Sequence, residues 1–496
     1  MKMYKKHKLF IPICLIWVIW ITPCTAQLDA TFGNGGIVII PLGNGTGALT
    51  TIKLHNDTII LAGNYDNSGV EDIGVVKLTK TGVLESSFGT NGKASVAITP
   101  TTNYIYSMDL QSDGKMVFGG GISYNAGYSS IFSSVNLNVN GSLNTGFNID
   151  GLDTCVFSGG PSVVYATKVI SGDKILLLGV AGSTDGSDYA LAKLNTDGTY
   201  DLTFNSTGKF TYSIDAGDEG HCLGIQSSGK IIIGGYCTTG FTAIRVNTNG
   251  TIDNTFGTSG HKIITIGAQD EAYSMAIQAD DKIVLAGRSG SVIAVVRLNA
   301  DGSPDLTFGT NGITTITQGT TTIGHSVAID HNNKIVVTGY TFNGTGSDVF
   351  VVRLTINGSE DIRSIIQVGI GNSVGRSVLI DANNKIVIGC SAIATDSIYD
   401  NFAVIRLDDM FVTGVIAGID ISTTLNLFPN PTTQNITINS TYHIEQIKVV
   451  DVIGNEVMNI PSSGNTQIDV STLPKGLYNF VITTDKGVGS KKVSVQ

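Results

Sequence analysis

The residues best equipped for chemistry lie at one recurrent position of an internally repeated chain. Thr50, Tyr106, Ala166, His221, Tyr273, His325 and Arg376 fall at equivalent places in seven successive segments. Asp218-Glu219 and Asp270-Glu271 stand just ahead of two of them. Aromatic faces and polar rims of this kind can grip a glycan or peptide by stacking and hydrogen bonding. Tyr106, Asp218, Glu219, His221, Asp270, Glu271, Tyr273, His325 and Arg376 therefore form the candidate ligand-binding set. A second chemistry is acid–base cleavage of a sugar bond. It needs two carboxylates roughly 5–9 Å apart, with His221 or His325 carrying a proton. The acids sit side by side in loops, and nothing in their spacing fixes that geometry. No catalytic residue is assigned, and no cofactor is expected.

The loop Asn299, Asp301, Ser303, Asp305 and its counterpart Asn247, Asn249, Thr251, Asp253 alternate oxygen-bearing side chains as a cation loop does. The second copy keeps one carboxylate, and a glycine directly follows the second ligand position, unlike a helix-loop-helix calcium loop. Asn-Gly and Asp-Gly are the expected residues of tight turns with positive φ. Turns are the expectation, with no metal site.

These positions need a scaffold, and the repeat supplies one. Its strongest unit is a turn, a lysine and an apolar strand ending in glycine, as in Asp281-Lys282-Ile283-Val284-Leu285-Ala286-Gly287. The terminal position falls at Gly63, Gly120, Gly179, Gly235, Gly287, Gly339 and Cys390, spaced 57, 59, 56, 52, 52 and 51 apart. The fifth unit reads as four strands: Tyr273 to Gln278, Lys282 to Gly287, Val292 to Leu298 and Gly312 to Thr317. Its middle strands are apolar at almost every position, which implies burial on both faces. Four-stranded sheets stacked in a ring meet that condition. The expected fold is all-β: a seven-bladed β-propeller followed by a small immunoglobulin-like β-sandwich.

The N-terminus carries a spare part. Interior units place a segment such as Pro304-Asp305-Leu306-Thr307-Phe308-Gly309 between their third and fourth strands, and the last unit lacks it. Leu28-Asp29-Ala30-Thr31-Phe32-Gly33 followed by Ile37-Val38-Ile39-Ile40 supplies it. This segment is expected to form the outer strand of the last blade and so remove a free edge. A basic residue also precedes an acid by eight positions in Lys77/Glu85, Lys193/Asp201, Arg245/Asp253, Arg297/Asp305 and Arg353/Asp361. The second unit has neutral Asn136/Asn144. Arg406 lacks a local acid, and Asp29 is expected to bond it across the closure. As an exposed pair it would contribute about 0–1 kcal/mol and serve register.

Units such as Leu298-Asn299-Ala300-Asp301-Gly302-Ser303-Pro304-Asp305-Leu306-Thr307-Phe308-Gly309, with the D/N-x-K-I-V-x-x-G strand, resemble delta-60 repeats. The resemblance covers most of residues 27–410 and implies propeller modules without a shared reaction. Unit two departs most, and unit six keeps Asp361 but loses the Phe-Gly.

Residues 411–424 break the repeat and read as a linker, and residues 425–496 have their own pattern. Leu427-Phe428-Pro429-Asn430-Pro431, Val452-Ile453-Gly454-Asn455-Glu456-Val457 and Leu473-Pro474-Lys475-Gly476-Leu477-Tyr478 resemble the type A sorting domain of the type IX secretion system. The sorting motif is thus Phe428, Pro429, Asn430, Pro431, Gly454, Leu473, Pro474, Gly476 and Tyr478. The resemblance implies a Bacteroidota-type cell, passage across the outer membrane, and partners in the secretion machinery and its sortase.

Residues 1–26 read as an export signal. Lys2, Lys5, Lys6 and Lys8 precede an apolar run from Leu9 to Ile21, and Cys24-Thr25-Ala26 follows. Thirteen residues are too few to cross a bilayer, which needs about 20. Pro23 argues against lipid attachment at Cys24. No transmembrane segment is expected in the mature chain. Losing four lysines takes the formal charge from −10 to −14, which disfavours nucleic acid. Cys222 and Cys237 fall on neighbouring strands two residues out of opposition, which disfavours a bridge.

The expected product is a secreted or outer-membrane surface-attached binding propeller that recognises a glycan, peptide or protein. A propeller hydrolase or lyase acting on a polymer, and a structural surface-layer component, are the alternatives.

Overall fold

The computed structural model describes residues 27–408 and 419–496, except 43–44, 67–70, 98–102, 124–129, 158–159, 185, 343, 395–396, 421–424, 441, 452–455, 462–466 and 485–486. The expected export signal and most of the linker lie outside the described residues. Two compact units emerge, Thr25–Phe411 and one containing Val412–Gln496.

Among the described residues, the larger unit consists of seven four-stranded antiparallel sheets. In six of them the strands run in chain order from the innermost outward. Blade five is Asp270–Ile277, Ile283–Ser289, Val292–Leu298 and Ile313–Ile316. The seventh sheet joins Val374–Ile380, Ile386–Ile393 and Asp400–Leu407 to Ile37–Ile40, so the N-terminal strand closes the last blade. Ile37 faces Ile405 and Ile40 faces Phe402. The middle strands are buried on both faces because each blade packs against two others. In blade five Val284, Ala286, Ile293 and Val295 face Val327, Ile335 and Val337 of blade six, while Ile283, Leu285, Ala294 and Val296 join blade four.

The repeated polar residues form one joint, built again in blade after blade. Arg245 Nε donates to Asp253 Oδ2, Arg297 to Asp305 and Arg353 to Asp361, each at 2.7 Å. Lys193 Nζ lies 3.2 Å from Asp201. The lysine that opens the second strand meets the same acid: Lys230 with Asp253 at 2.7 Å, Lys282 with Asp305 at 3.2 Å. The acid's other oxygen accepts the backbone N–H and hydroxyl of the threonine two residues on, as Thr255 and Thr307 do. The next residue, Phe256 or Phe308, is fully buried under the arginine, with the guanidinium 4.8 or 4.6 Å from the ring centre. In the second unit Asn144 donates to Asn136 at 2.9 Å, so the neutral pair keeps the contact. Lys77 and Glu85 depart from the rule: among the described residues Glu85 accepts from Ser87 and forms no ion pair.

The closure uses the same joint. Arg406 Nε donates to Asp29 Oδ2 at 2.7 Å, Lys385 meets that carboxylate at 2.5 Å, and Arg406 lies 4.6 Å over Phe32. Asp29 is 1 % exposed and Arg406 8 %. The expectation of an exposed pair is therefore corrected: the charges are buried, and removing one partner carries a far larger cost.

The smaller unit is a two-sheet sandwich. A five-stranded sheet runs Ile419–Asp420, Gly487–Val495, Gly476–Thr484, Ile444–Val450, Glu456–Pro461. A three-stranded sheet holds Asn426–Phe428, Asn435–Asn439 and Gln467–Asp469. Ile436, Ile438, Ile447, Val449, Phe480, Ile482 and Val493 form the core.

Candidate functional site: the ring of bulged residues

Each of the seven innermost strands carries one irregularity of pairing at the same place. The register skips Thr50, Tyr106, Tyr165, His221, Tyr273, His325 and Arg376, each standing unpaired between two paired residues. This is a β-bulge: an extra residue that bends the strand and re-aims a side chain. The repeat's terminal glycine is its counterpart. A Cβ on Gly235, Gly287 or Gly339 would collide with the carbonyl oxygen of Glu219, Glu271 or Ile323, two residues before the bulge. Glycine on the second strand thus makes room for the bulge on the first. In blade seven Cys390 takes that place, opposite Gly375.

The third member needs correction. The expected Ala166 is regularly paired with Leu178, and the extra residue is Tyr165. The correction joins the set into a string. Tyr106 meets Tyr165 edge to face at 5.3 Å, and Tyr165 stacks on His221 at 4.3 Å and 10°. His221 meets Tyr273 at 5.7 Å, and Tyr273 meets His325 at 6.1 Å, both edge to face. Five consecutive blades contribute one ring each. Arg376 follows on blade seven, and Thr50 turns its hydroxyl to Ala62 O of its own blade at 3.1 Å.

Polar groups tie the string on blades four and five. His221 Nε2 donates to Glu219 Oε2 at 3.0 Å, and Tyr236 stacks on the imidazole at 5.2 Å. Burial would raise the Glu219 carboxyl, but bonds from His221 and Tyr236 overcome this and hold it below its ordinary value. Glu271 accepts from both Tyr273 Oη and Arg288 Nη2. The Tyr165 hydroxyl is pushed up to about 12 by burial and the neighbouring Glu219 and Tyr106. His325 Nδ1 donates to Gly375 O at 3.1 Å, and Tyr340 lies 5.6 Å away. Burial and the charge of Arg376 pull His325 down to about 4. Tyr236, Arg288 and Tyr340 escaped the sequence reading. Each pairs directly with the residue two before a bulge, namely Glu219, Glu271 and Ile323. Their signal is the residue after the repeat glycine.

Two of the expected ligand groups have another task. Asp218 is fully buried and accepts the backbone N–H groups of Ile214 and Asp215. Asp270 is 6 % exposed and accepts those of Ile266 at 2.7 Å and Gly267 at 3.0 Å. Both carboxylates hold the loop that enters the inner strand, so they are corrected from ligand groups to turn-holding groups. Asp215, Asp218 and Cys237 bring one donor atom each within 4.8 Å of one another. Asp215, however, is occupied by Gly217 N–H at 3.0 Å and by Thr238, so the group is a hydrogen-bonded knot. The loops around Asn249 and Asp301 are turns: Asn249 accepts from Thr251, and Asp301 from Ser303. Cys155, Cys222, Cys237 and Cys390 are free and buried.

In the smaller unit the sorting motif is a lock on the last strand. Asn430 donates to Lys492 O at 2.7 Å and accepts from Ser494 N at 2.9 Å. Phe428 is 47 % exposed, and Pro429 and Pro431 are exposed beside it. Tyr478 is buried and donates to Pro474 O at 2.7 Å, Leu473 packs on the core, and Gly476 is the exposed first residue of the strand Gly476–Thr484. Gly454 lies outside the described residues.

Fold and tail together define a secreted β-propeller with a type IX secretion sorting domain. Residues 426–496 match the secretion system C-terminal sorting domain family. Residues 56–88, 173–204, 226–256, 278–308 and 332–361 match the "Domain of unknown function (DUF5122) beta-propeller" family, so the chain carries five such repeats, on blades one and three to six. The sorting domain makes this a secreted protein with outer-membrane surface attachment. No helix among the described residues is long and apolar enough to cross a membrane. No curated protein matches the chain in sequence. Similar solved structures include an extracellular domain assigned to the hybrid two component system BT3049 of B. thetaiotaomicron, at 12 % identity and TM-score 0.41. That likeness covers 93 % of this chain, which spans 57 % of the other's length. The polysaccharide lyase Uly1 is similar at 11 % identity and TM-score 0.43, over 76 % of this chain and 91 % of that one. PorZ, a type IX secretion surface component of Porphyromonas gingivalis, is similar at 10 % identity and TM-score 0.25, over 95 % and 86 %.

Proposed function

We propose that this protein is an extracellular binding propeller whose ligand, a glycan or peptide, is gripped by the string of rings from Tyr106 to His325. The observation that carries this reading is the continuity of that string across five blades, each ring aimed by a bulge and a matching glycine. A strand needs no bulge merely to end, and bulges re-aim side chains at binding and catalytic sites. Tyr106 and Tyr104 are 41 % and 44 % exposed, so the string is reachable at one end. Glu219 is tied to His221 and Tyr236, and Glu271 to Arg288 and Tyr273, which favours binding over acid–base hydrolysis: a general acid is kept protonated, whereas Glu219 is held ionised. Residues 27–410 form the proposed binding body, 411–424 a linker, and 425–496 the part that engages the secretion machinery and its sortase. Residues 1–26 are proposed as the export signal.

A screen of the exported protein on glycan and peptide arrays tests this reading. Saturable retention that falls at least tenfold in Tyr165→Ala and Tyr273→Ala supports it. Product release from a polysaccharide, abolished by Glu219→Gln, supports the enzymatic alternative. Absence of both leaves a structural surface role.

A further inference from the structure

We infer that the ligand of the ring string is an acidic saccharide, and that its carboxylate or sulfate group docks on Arg376. This rests on the reading that the ring string binds a ligand, and it adds the ligand's charge and class.

The first observation is one of charge balance. The carboxylates of the ring are already taken: Glu219 by His221, and Glu271 by Arg288. Arg376 is exposed and takes no hydrogen bond or ion pair among the described residues. It stands at the bulge position of blade seven, between Gly375 and Ser377, where blades two to six aim a ring. The chain as a whole carries a formal charge of −10, so carboxylates are plentiful. No described carboxylate lies within ion-pair distance of this guanidinium, and Asp400 acts on it only from farther off. A planar fork of N–H donors without a partner suits a bidentate carboxylate or a sulfate.

The neighbours of Arg376 fit a sugar. His325 is fixed with Nδ1–H on Gly375 O, which leaves Nε2 as an acceptor for a hydroxyl. It stays neutral at physiological pH, because burial and the arginine's own charge pull it down to about 4. The positive charge of this arc therefore belongs to Arg376. Tyr273 at 6.1 Å and Tyr340 at 5.6 Å border His325 with aromatic carbon and a polar rim. A sugar ring offers the matching surfaces, a CH face and hydroxyl edges.

Calorimetric titration of the exported protein decides the matter, using a uronate tetrasaccharide, a sulfated tetrasaccharide, neutral cellotetraose and a glutamate-rich tetrapeptide. One or both acidic saccharides are expected to bind at least tenfold more tightly than cellotetraose, and whichever binds identifies the group as carboxylate or sulfate. Arg376→Gln is expected to abolish that preference, and Arg376→Lys to retain part of it. Tyr165→Ala should weaken saccharide binding without changing the preference. Cellotetraose binding as tightly as the acidic sugars, or Arg376→Gln leaving the preference intact, overturns the inference while sensitivity to Tyr165→Ala keeps the ring reading. Preference for the peptide overturns the saccharide assignment. No binding by any probe overturns both readings. Arg376 is exposed, so its variants should keep the parent's unfolding midpoint, which separates lost binding from lost fold.

Discussion

Asp29 and Arg406 lie 377 positions apart in the chain and 2.7 Å apart in space. Between them runs the whole propeller, and their bond is the charged joint of blades three to six made from two distant pieces. Its surroundings are complete: Lys385 on the same carboxylate, Thr31 on the other oxygen, Phe32 under the guanidinium.

Removing Asp29 leaves two cations without their shared anion, one of them buried. Asp29→Ala is expected to destabilise the protein by about 3–5 kcal/mol, the usual cost of breaking a buried pair. Denaturant midpoints of the two proteins check this. A double variant Asp29→Ala/Arg406→Met should recover part of the loss, because the stranded charge goes too.

Acid should unfold the ring for the same reason. Burial raises the carboxyls of Asp29, Asp201, Asp253 and Asp305, but lysine and threonine donors overcome it and hold all four well below the usual range. A carboxylate depressed in the fold adds stability above its unfolded value, about 3.9 for aspartate, and loses it as pH falls through the folded value. His325 acts in the same direction: its folded value of about 4 lies below the unfolded 6.5. Its contribution is full above about 6.5 and is lost as pH falls through about 4. Asp153 and Asp218, pushed up to about 6 by burial, act the other way and return stability as pH falls from about 6 towards 3.9. Thermal midpoints should therefore hold down to about pH 4 and fall below it, and in His325→Gln, which lacks the histidine's loss, the midpoint should rise as pH falls from about 6 to 4.

The repeat glycines should refuse even a methyl group. A Cβ on Gly287 would strike Glu271 O and come within 2.9 Å of the Ala272 Cα, both backbone. Gly287→Ala is expected to cost about 1–3 kcal/mol, the usual range for overpacking. It should also displace Tyr273, which nuclear Overhauser contacts between the Tyr273 and His325 rings would report.

The cysteines should be silent. Burial raises the thiols of Cys155, Cys222, Cys237 and Cys390, with Cys390 pushed up to about 12. Thiolate is the reactive form, so thiol reagents should label none of the four in the native protein and all four after unfolding. Cys222 pairs across to Gly234 and Cys237 to Gly240, which leaves the two sulfurs out of register for a bridge.

Much of the architecture was legible in the residues because the repeat prints each joint in a short stretch. Lysine or arginine, an acid eight positions later, threonine, then phenylalanine: each residue touches the next, so local spacing carries the contact. Asp29 could be matched to Arg406 because the arginines on the other third strands, Arg245, Arg297 and Arg353, each had an acid and this one lacked it. The Lys77/Glu85 pair failed because spacing alone does not oblige two charges to meet when one has a nearer hydroxyl.

The site was only half legible. Recurrence brought out six of the seven bulge positions, since five of them stand 14 residues before the repeat glycine or Cys390, and Thr50 stands 13 before Gly63. Tyr165 was displaced to Ala166 by one residue, and a strand's two faces differ by that same step. The roles of Asp218 and Asp270 were beyond reach, because the amide groups that occupy them are set by a loop's path. The amino-acid order thus determined the number of blades, the closure and the sorting tail, all written in contacts between near neighbours or repeated copies. Only the tertiary structure decided which side chains meet around the axis, because the bulge that aims each ring arises where two strands pair, and the rings belong to different blades.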